Sequence, residues 1–505
     1  IIMKKIFYAV LSAFLLLGLF SCDLQRDPDG SDEQKDHFAS FVETKHFRDG
    51  LYATLRSTEN PTRFVWQDLQ SDMYAVTTND GNTSSRFITW SLGALESSGE
   101  IASYYLAYYS LLQRANYFVT RIERSMELNL YLEKELKDVK IFQAEGKTLQ
   151  ALALSRLMER FAYKYDPAAT THPYDLGIVL VKDYNPMIAA PRNTQKECYD
   201  YILECLNQAI DVLPNKSNEG NIRVSKHYAH ALRARVNFAM GNYDAAKEDA
   251  KVLVDNYPLI DVTTAKKFAE VYRDDANNPE IVFRAFASGT IGTVAETTLS
   301  GFLWHSGAQL VVSSPISAPF QWVVDLYDDT DYRKSCYITK DFYVIGGGVD
   351  KGYVVGKYLG NPAYQSNPNV PDFKVTSRFF SVAEAYLIMA ESMAKSGDAA
   401  GAKDLLKTLC EKRGGQLEDG DIMDLVMAER TRELIGEGSR LNDMIRWNLP
   451  NNHDDMENQP VFLQIGLAKA DKLKQPVPAG HYAFTWEFPV RDRQVNPQII
   501  KNWPN

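Results

Sequence analysis

The cysteine thiol at position 22 follows Leu19-Phe20-Ser21, the arrangement in which a lipoprotein signal peptidase cuts before a cysteine whose thiol has been acylated. Upstream, Met3-Lys4-Lys5 is basic, and the apolar run Ile6 to Phe20 is too short to span a bilayer core of about 30 Å as a mature helix. The predicted products are a signal peptide over 1–21, a lipid anchor on Cys22 and a flexible, acidic, Gly/Pro-punctuated tether over 22–37. A second set of candidate groups lies in residues 72–90, DMYAVTTNDGNTSSRFITW. Thr77, Thr78, Asn79, Asn82, Ser84 and Ser85 offer amides and hydroxyls that can bond the main chain of an extended ligand. Arg86 offers a carboxylate contact, and Tyr74 and Trp90 offer walls. The plainer reading of that stretch is an Asn-Gly-type turn in an ordinary loop. Thr297 to Trp322 is a further candidate, with Phe302, Trp304 and His305 in a Ser/Gly-rich setting.

Other constellations point away from chemistry. Cys198 and Cys205 are seven residues apart on one expected helix, a rise of about 10 Å that no disulfide spans. There is no CxxC or HExxH pattern, and His227 and His230, beside Tyr228, Ala231 and Leu232, read as packed helix surface, so no metal and no cofactor are expected. Asp274-Asp275, Asp328-Asp329 and Asp454-Asp455 are adjacent pairs of the kind solvated turns contain. Adjacency alone does not give the opposed geometry of glycosidase carboxylates, and no GxSxG elbow appears. Gly352 to Lys357 superficially matches a phosphate loop, but it is one residue short and ends in Tyr358 where Ser or Thr is required. The expectation is a binding protein, with no enzyme activity.

The elements that must hold these groups are mostly helical. Apolar spacing predicts helices over Ile101–Glu127 and Val139–Tyr163 as an antiparallel pair, and another over Lys196–Leu213. A hairpin of Lys226–Met240 and Asp244–Asn256 turns at Gly241-Asn242-Tyr243, and a second, Ser381–Ser396 and Ala399–Lys412, turns at Gly397-Asp398. In each the glycine suits a left-handed helix cap and small alanines permit close approach, the pattern of a tetratricopeptide-like repeat of roughly four units. Between them run long segments rich in Gly, Ser, Thr, Pro and aromatics, and Asp341 to Tyr358 alternates as a β-hairpin. The fold class expected is mainly α: a tetratricopeptide-like scaffold with irregular loops and small β-hairpin insertions.

Length and charge narrow the function. The 505 residues, 45% of them hydrophobic, can bury a large core, and 55 basic against 65 acidic side chains offer nucleic acid no basic footprint. No stretch after the leader is apolar enough to cross a membrane, so attachment is expected through the lipid anchor only.

The C-terminal third carries the most specific words. Arg378-Phe379-Phe380-Ser381-Val382-Ala383-Glu384-Ala385-Tyr386-Leu387 precedes Ala390-Glu391. Glu429-Arg430-Thr431-Arg432-Glu433-Leu434 continues through Glu437-Gly438-Ser439-Arg440 to Asp443 and Arg446-Trp447, and Asn496-Pro497 and Asn502-Trp503-Pro504 close the chain. With the leader and the helical hairpins, this resembles the SusD/RagB family of outer-membrane nutrient-binding lipoproteins over nearly the whole mature chain. Stretches such as NNPEIVFRAFAS, FQWVVDLYDD and FTWEFPVRDRQVNPQIIKNWP resemble the oligopeptide-importing branch most closely. The resemblance implies one SusD-like body over 38–505, with helical repeats to 260, a loop-rich insertion over 261–378 and the signature part from 379. It further implies an outward-facing outer-membrane lid over a SusC/RagA-like TonB-dependent β-barrel, capturing oligopeptides for import, with glycan capture as the alternative. The charges of the signature recur at three- and four-residue spacing, so pairing that docks the helix is the favoured reading of them over ligand contact.

Overall fold

In this computed structural model the described residues are 36–76, 85–88, 90–184, 189–288, 317–345, 348–364, 374–452 and 477–504. Helices α1 (Phe41–Thr58), α2 (Gly99–Glu127), α3 (Leu136–Phe161), α4 (Gln195–Val212), α5 (Lys226–Ala239) and α6 (Tyr243–Val254) form the N-terminal part. Helices α7 (Val382–Lys395), α8 (Ala399–Lys412), α9 (Ile422–Leu434) and α10 (Arg440–Trp447) form the C-terminal part. Capping side chains set several starts. Ser98 accepts the Ile101 amide, Ser225 that of Tyr228, and Thr194 that of Glu197, whose carboxylate returns to the Thr194 amide at 2.9 Å. Helix α1 carries the same signal: Ser40 accepts the Glu43 amide and Glu43 bonds the Ala39 amide at 2.6 Å. Apolar spacing alone did not single this helix out.

Successive helices pack as a stack, α2 on α3, α3 on α4, and so on to α8. Both expected glycine turns are present, Gly241 at φ 77° and Gly397 at φ 89°, and Asp398 caps the following helix through the Gly401 amide at 2.9 Å. The core runs through the stack and ends in an aromatic cluster in which Trp486, fully buried, meets Tyr104 at 5.2 Å and Phe161 at 6.1 Å. Arg48 of α1 ties this stack from outside, its guanidinium bonded to buried Glu145 of α3 at 2.5 and 2.6 Å.

Among the described residues there are three two-stranded antiparallel sheets: β1 (Tyr74–Val76) with β3 (Ser317–Pro319), β2 (Ile281–Arg284) with β6 (Arg378–Ser381), and β4 (Ile338–Ile345) with β5 (Gly348–Val355). Only β4–β5 is the expected hairpin, in continuous register from Ile338↔Val355 to Ile345↔Gly348. The other two sheets join segments far apart in sequence, and no local spacing signals such a pairing. The loop-rich stretch after α6 also contains a helix, Ala265–Arg273, that was not expected.

The signature helix α9 lies at the centre. Glu433 takes Arg413 at 3.0 Å and Arg333 at 2.9 Å, Arg333 also reaches Glu429 and Asp331 at 2.7 Å, and Arg413 reaches Glu280 at 2.8 Å. Burial works to raise the Glu429 carboxyl, and Arg333 and Arg432 overcome it, holding it at about 2. On another face of α9, Arg430 pairs with Asp443 at 2.9 Å, while Arg446 and the Trp447 indole bond Glu391 at 2.7 and 2.9 Å.

Two glycines in left-handed conformation separate strain from contact. A Cβ at Gly438, φ +74°, would stand 2.7 Å from Phe64 Cβ and 3.2 Å from its Cα and carbonyl oxygen, whereas one at Gly397, φ +89°, would meet nothing within 4 Å. Gly397→Ala should therefore cost about 1 kcal/mol and Gly438→Ala about 2–4 kcal/mol. Urea unfolding of both variants checks this, and equal losses would show that Phe64 makes no difference.

Candidate functional site

The β1–β3 pairing brings the two candidate segments to one place. Tyr74 stands opposite Pro319, Ala75 opposite Ala318 and Val76 opposite Ser317. Residues 77–84 continue from Val76 and residues 289–316 lead into Ser317, so both are rooted at the same end of one ribbon. Thr77, Thr78, Asn79, Asn82, Phe302 and Trp304 themselves lie outside the described residues, as does Cys22.

The root of the ribbon is held by polar bonds from distant parts of the chain. Asp72 receives both arms of Arg440 at 2.7 Å, and its carbonyl accepts the Trp322 indole N–H at 3.2 Å. Gln70, fully buried, is the second anchor. Its carbonyl oxygen accepts from the Trp90 indole at 3.1 Å and from Asn451 Nδ2 at 3.0 Å. Its side chain accepts from the Trp486 indole at 2.7 Å and donates to the Ala483 carbonyl at 2.9 Å. Asn451 pairs with Val477 through two backbone bonds of 2.9 and 3.0 Å, so the segment 453–476 departs from the same neighbourhood.

Tyr74, Trp90 and Arg86 fall within the described residues. Tyr74 is fully buried in β1, and Trp90 is 7% exposed, packed edge-on against Phe484 at 4.6 Å. Both are core side chains, which corrects the expectation that they wall an open site. Trp90 packs on Phe484 and Tyr74 pairs with the strand Ser317–Pro319, partners that local sequence around 72–90 does not reveal. Arg86 is half-buried on the short helix Ser85–Ile88 and faces Glu100 at 3.4 Å, a carboxylate of the chain itself. Gln70, Asp72 and Arg440 were not among the sequence candidates. Arg440 belongs to the signature, but no pattern links it to Asp72.

The structure also resolves the other constellations. His227 meets the Tyr257 hydroxyl at 3.4 Å and His230 meets Asp249 at 2.7 Å, and among the described residues no group of His, Cys, Asp or Glu could hold a metal ion. Cys198, Cys205, Cys336 and Cys410 are buried free thiols, and burial pushes those of Cys198 and Cys205 up to about 11. Lys357 is no phosphate ligand: its ammonium is buried and bonds the Glu433 carbonyl at 2.7 Å. Asp328 caps the Thr330 amide, Asp329 pairs with Lys334, and Asp275 holds Arg378 and Asn361. Asp454 and Asp455 lie outside the described residues.

A separate cleft of about 990 Å³ opens between α3, α5, α7 and α10, lined by Tyr163, Tyr165, Arg235, Glu384 and Asn442 among others. Its charges are engaged within the protein: Arg235 pairs with Glu384, and Lys164 bonds the Arg446 carbonyl at 3.0 Å. Among the described residues no helix is long and apolar enough to cross a membrane.

Comparison with known proteins follows this geometry. A family model described as the SusD family matches residues 339–502, and one described as "Starch-binding associating with outer membrane" matches 32–238. A tetratricopeptide repeat model matches 232–259, the α5–α6 hairpin. The SusD-like protein P38 of Formosa agariphila is 21% identical over 495 residues, 88% of this chain and 92% of that protein. A SusD superfamily protein from Bacteroides thetaiotaomicron superposes with a TM-score of 0.75 at 19% identity, covering 92% of this chain and all of that one. A laminarin-binding SusD-like protein gives 0.69 at 18%, covering 93% and 100%.

Asp68, next to this anchor, gives a pH test. Burial raises its carboxyl to about 7, although the Gly438 amide donates to it at 3.0 Å; Glu437 adds to the rise and Lys357 opposes it. Because the folded pKa lies above the ordinary 3.8, folding favours the protonated acid, and stability is lost as pH rises from about 4 to about 7. Asp68→Asn keeps the acceptor for Gly438 and stays neutral. Its stability relative to the parent should grow across that window toward a ceiling of about 4 kcal/mol. Denaturation at pH 4.5, 6 and 8 (about those values) reads it, and a pH-independent difference would reject the raised pKa.

Proposed function

We propose that this chain, which belongs to the SusD/RagB family, is the lid lipoprotein of a TonB-dependent outer-membrane transporter. On this reading it is anchored through acylated Cys22, faces outward, and captures glycan for a SusC-like barrel without making or breaking bonds. The single observation behind the site is the rooting of two independently chosen segments at one end of the β1–β3 ribbon. Contacts would then come from Thr77, Thr78, Asn79 and Asn82 on one segment and Phe302 and Trp304 on the other.

Substrate class is argued from relatives and from burial, and the two pull apart. The family descriptions and the laminarin-binding neighbour support glycan, which the oligopeptide expectation lacks. Oligopeptide capture stays as the second reading because of one specific observation. Tyr74 and Trp90, which would have formed a flat sugar platform, are in the core, so amides and hydroxyls dominate the remaining candidates in that segment. A lid must release what it holds, so affinity near micromolar, about −8 kcal/mol, suits either ligand.

Gentle isolation from native outer membranes, followed by mass spectrometry of what accompanies the protein, tests the reading. Oligosaccharide together with a TonB-dependent barrel is the expected result. Short peptides with the barrel would replace glycan by the second reading, and absence of any barrel would end the lid assignment. Asn79→Ala with Asn82→Ala should weaken ligand binding roughly tenfold, since each lost hydrogen bond is worth about 0.5–1.5 kcal/mol.

A further inference from the structure

A groove of about 870 Å³ lies between α1, the turn at 219–223 and the end of β2. Tyr52, Leu55, Ala285 and Phe379 give it an apolar lining, and Phe286 stands at it 49% exposed. A phenyl ring left half in water beside a concave apolar surface is a feature that a ligand would cover.

The charges around the groove divide into two kinds. Its acids are already neutralised: Asp49 takes Arg223 at 2.6 Å, and Glu219 takes Arg223 at 2.9 Å and Arg48 at 2.7 Å. Two of its arginines are different. Arg56, at the end of α1, has no carboxylate within ion-pair distance among the described residues. Arg284 has none either: it donates to the Ala285 carbonyl at 3.2 Å and bonds the Tyr364 hydroxyl, and its Nε is buried without a partner. A guanidinium without a carboxylate partner beside an apolar surface is costly to desolvate, and a carboxylate is the group whose geometry matches it.

We infer that this groove is a second ligand site, taking a monocarboxylate joined to an aromatic or aliphatic group. The carboxylate would bond Arg56 and Arg284, and the apolar part would lie along Phe286, Phe379 and Leu55. The site uses none of the elements of the β1–β3 ribbon and stands whichever class of ligand is captured there.

Calorimetric titration of the detergent-solubilised full chain with N-acetylphenylalanine tests it, against two controls. N-acetylphenylalaninamide keeps the ring without the charge, and N-acetylglycine keeps the charge without the ring. The acid should bind in the millimolar range or tighter, with each control at least about tenfold weaker. Arg56→Gln and Arg284→Gln should each lose about tenfold while leaving circular dichroism and thermal unfolding as in the parent. Equal binding of the amide, unchanged affinity in both folded variants, or no binding at millimolar concentration would each overturn the site.

Discussion

Glu433 is the interaction on which the rest of this structure depends. One carboxylate, 3% exposed, receives guanidinium groups from Arg333 and Arg413 and the hydroxyl of Tyr337, and so joins α9 to the end of α8 and to the short helix Arg333–Cys336. Through Arg413 the linkage continues to Glu280, whose carboxylate also takes the Ile260 amide at 2.7 Å. Four stretches far apart in sequence therefore meet around charges that water cannot reach. Burying an ion costs several kcal/mol, so this arrangement persists only with every partner in place. Loss of one partner would leave an uncompensated charge at the centre.

A second cluster extends the same constraint toward the candidate site. Arg430, Arg446 and Asp443 meet around Glu391, fixing α10 against α7, and α10 begins with Arg440, which holds Asp72. Asp72 is two residues from the start of β1. The family signature therefore does its work as a relay of satisfied charges from the centre to the root of the ribbon. Pairing between these charges was the favoured reading of their spacing, and the geometry agrees. Spacing along one helix could not show that the partners are Asp72, Asp331, Arg333 and Arg413, because all four lie outside the two signature helices.

What was legible and what was not follows the range of the forces involved. Helical periodicity, glycine caps and the β4–β5 alternation are local, and each appeared where the residues called for it, with bounds shifted by a few positions. The α1 helix was missed although Ser40 and Glu43 announce it, because its apolar face is interrupted by Thr44 and Arg48, both buried through polar partners. Tyr74 and Trp90 were misplaced for the complementary reason. In a polar stretch an aromatic side chain looks available, yet Trp90 is claimed by Phe484 and by the Gln70 carbonyl, and Tyr74 by a strand that arrives more than 240 residues later in the chain (319 minus 74). The Thr and Asn candidates lie outside the described residues, and for them sequence chemistry is the whole of the argument.

On the proposed function, a ligand surface that accommodates varied chemistry has to coexist with a framework that keeps its shape. Here the two requirements fall on different residues. The framework is fixed by charges that are consumed inside it and by indoles whose N–H groups are bonded, as in Trp486 to Gln70 and Trp503 to the Thr485 carbonyl. The partners found for Gln70 and Asp72 among the described residues, Trp90, Asn451, Trp486, Ala483, Trp322 and Arg440, lie outside 77–84 and 302–304, and loss of Arg440 would free the Asp72 carboxylate. The place from which those segments leave the described residues is set by the bonds of Gln70 and Asp72 to distant parts of the chain.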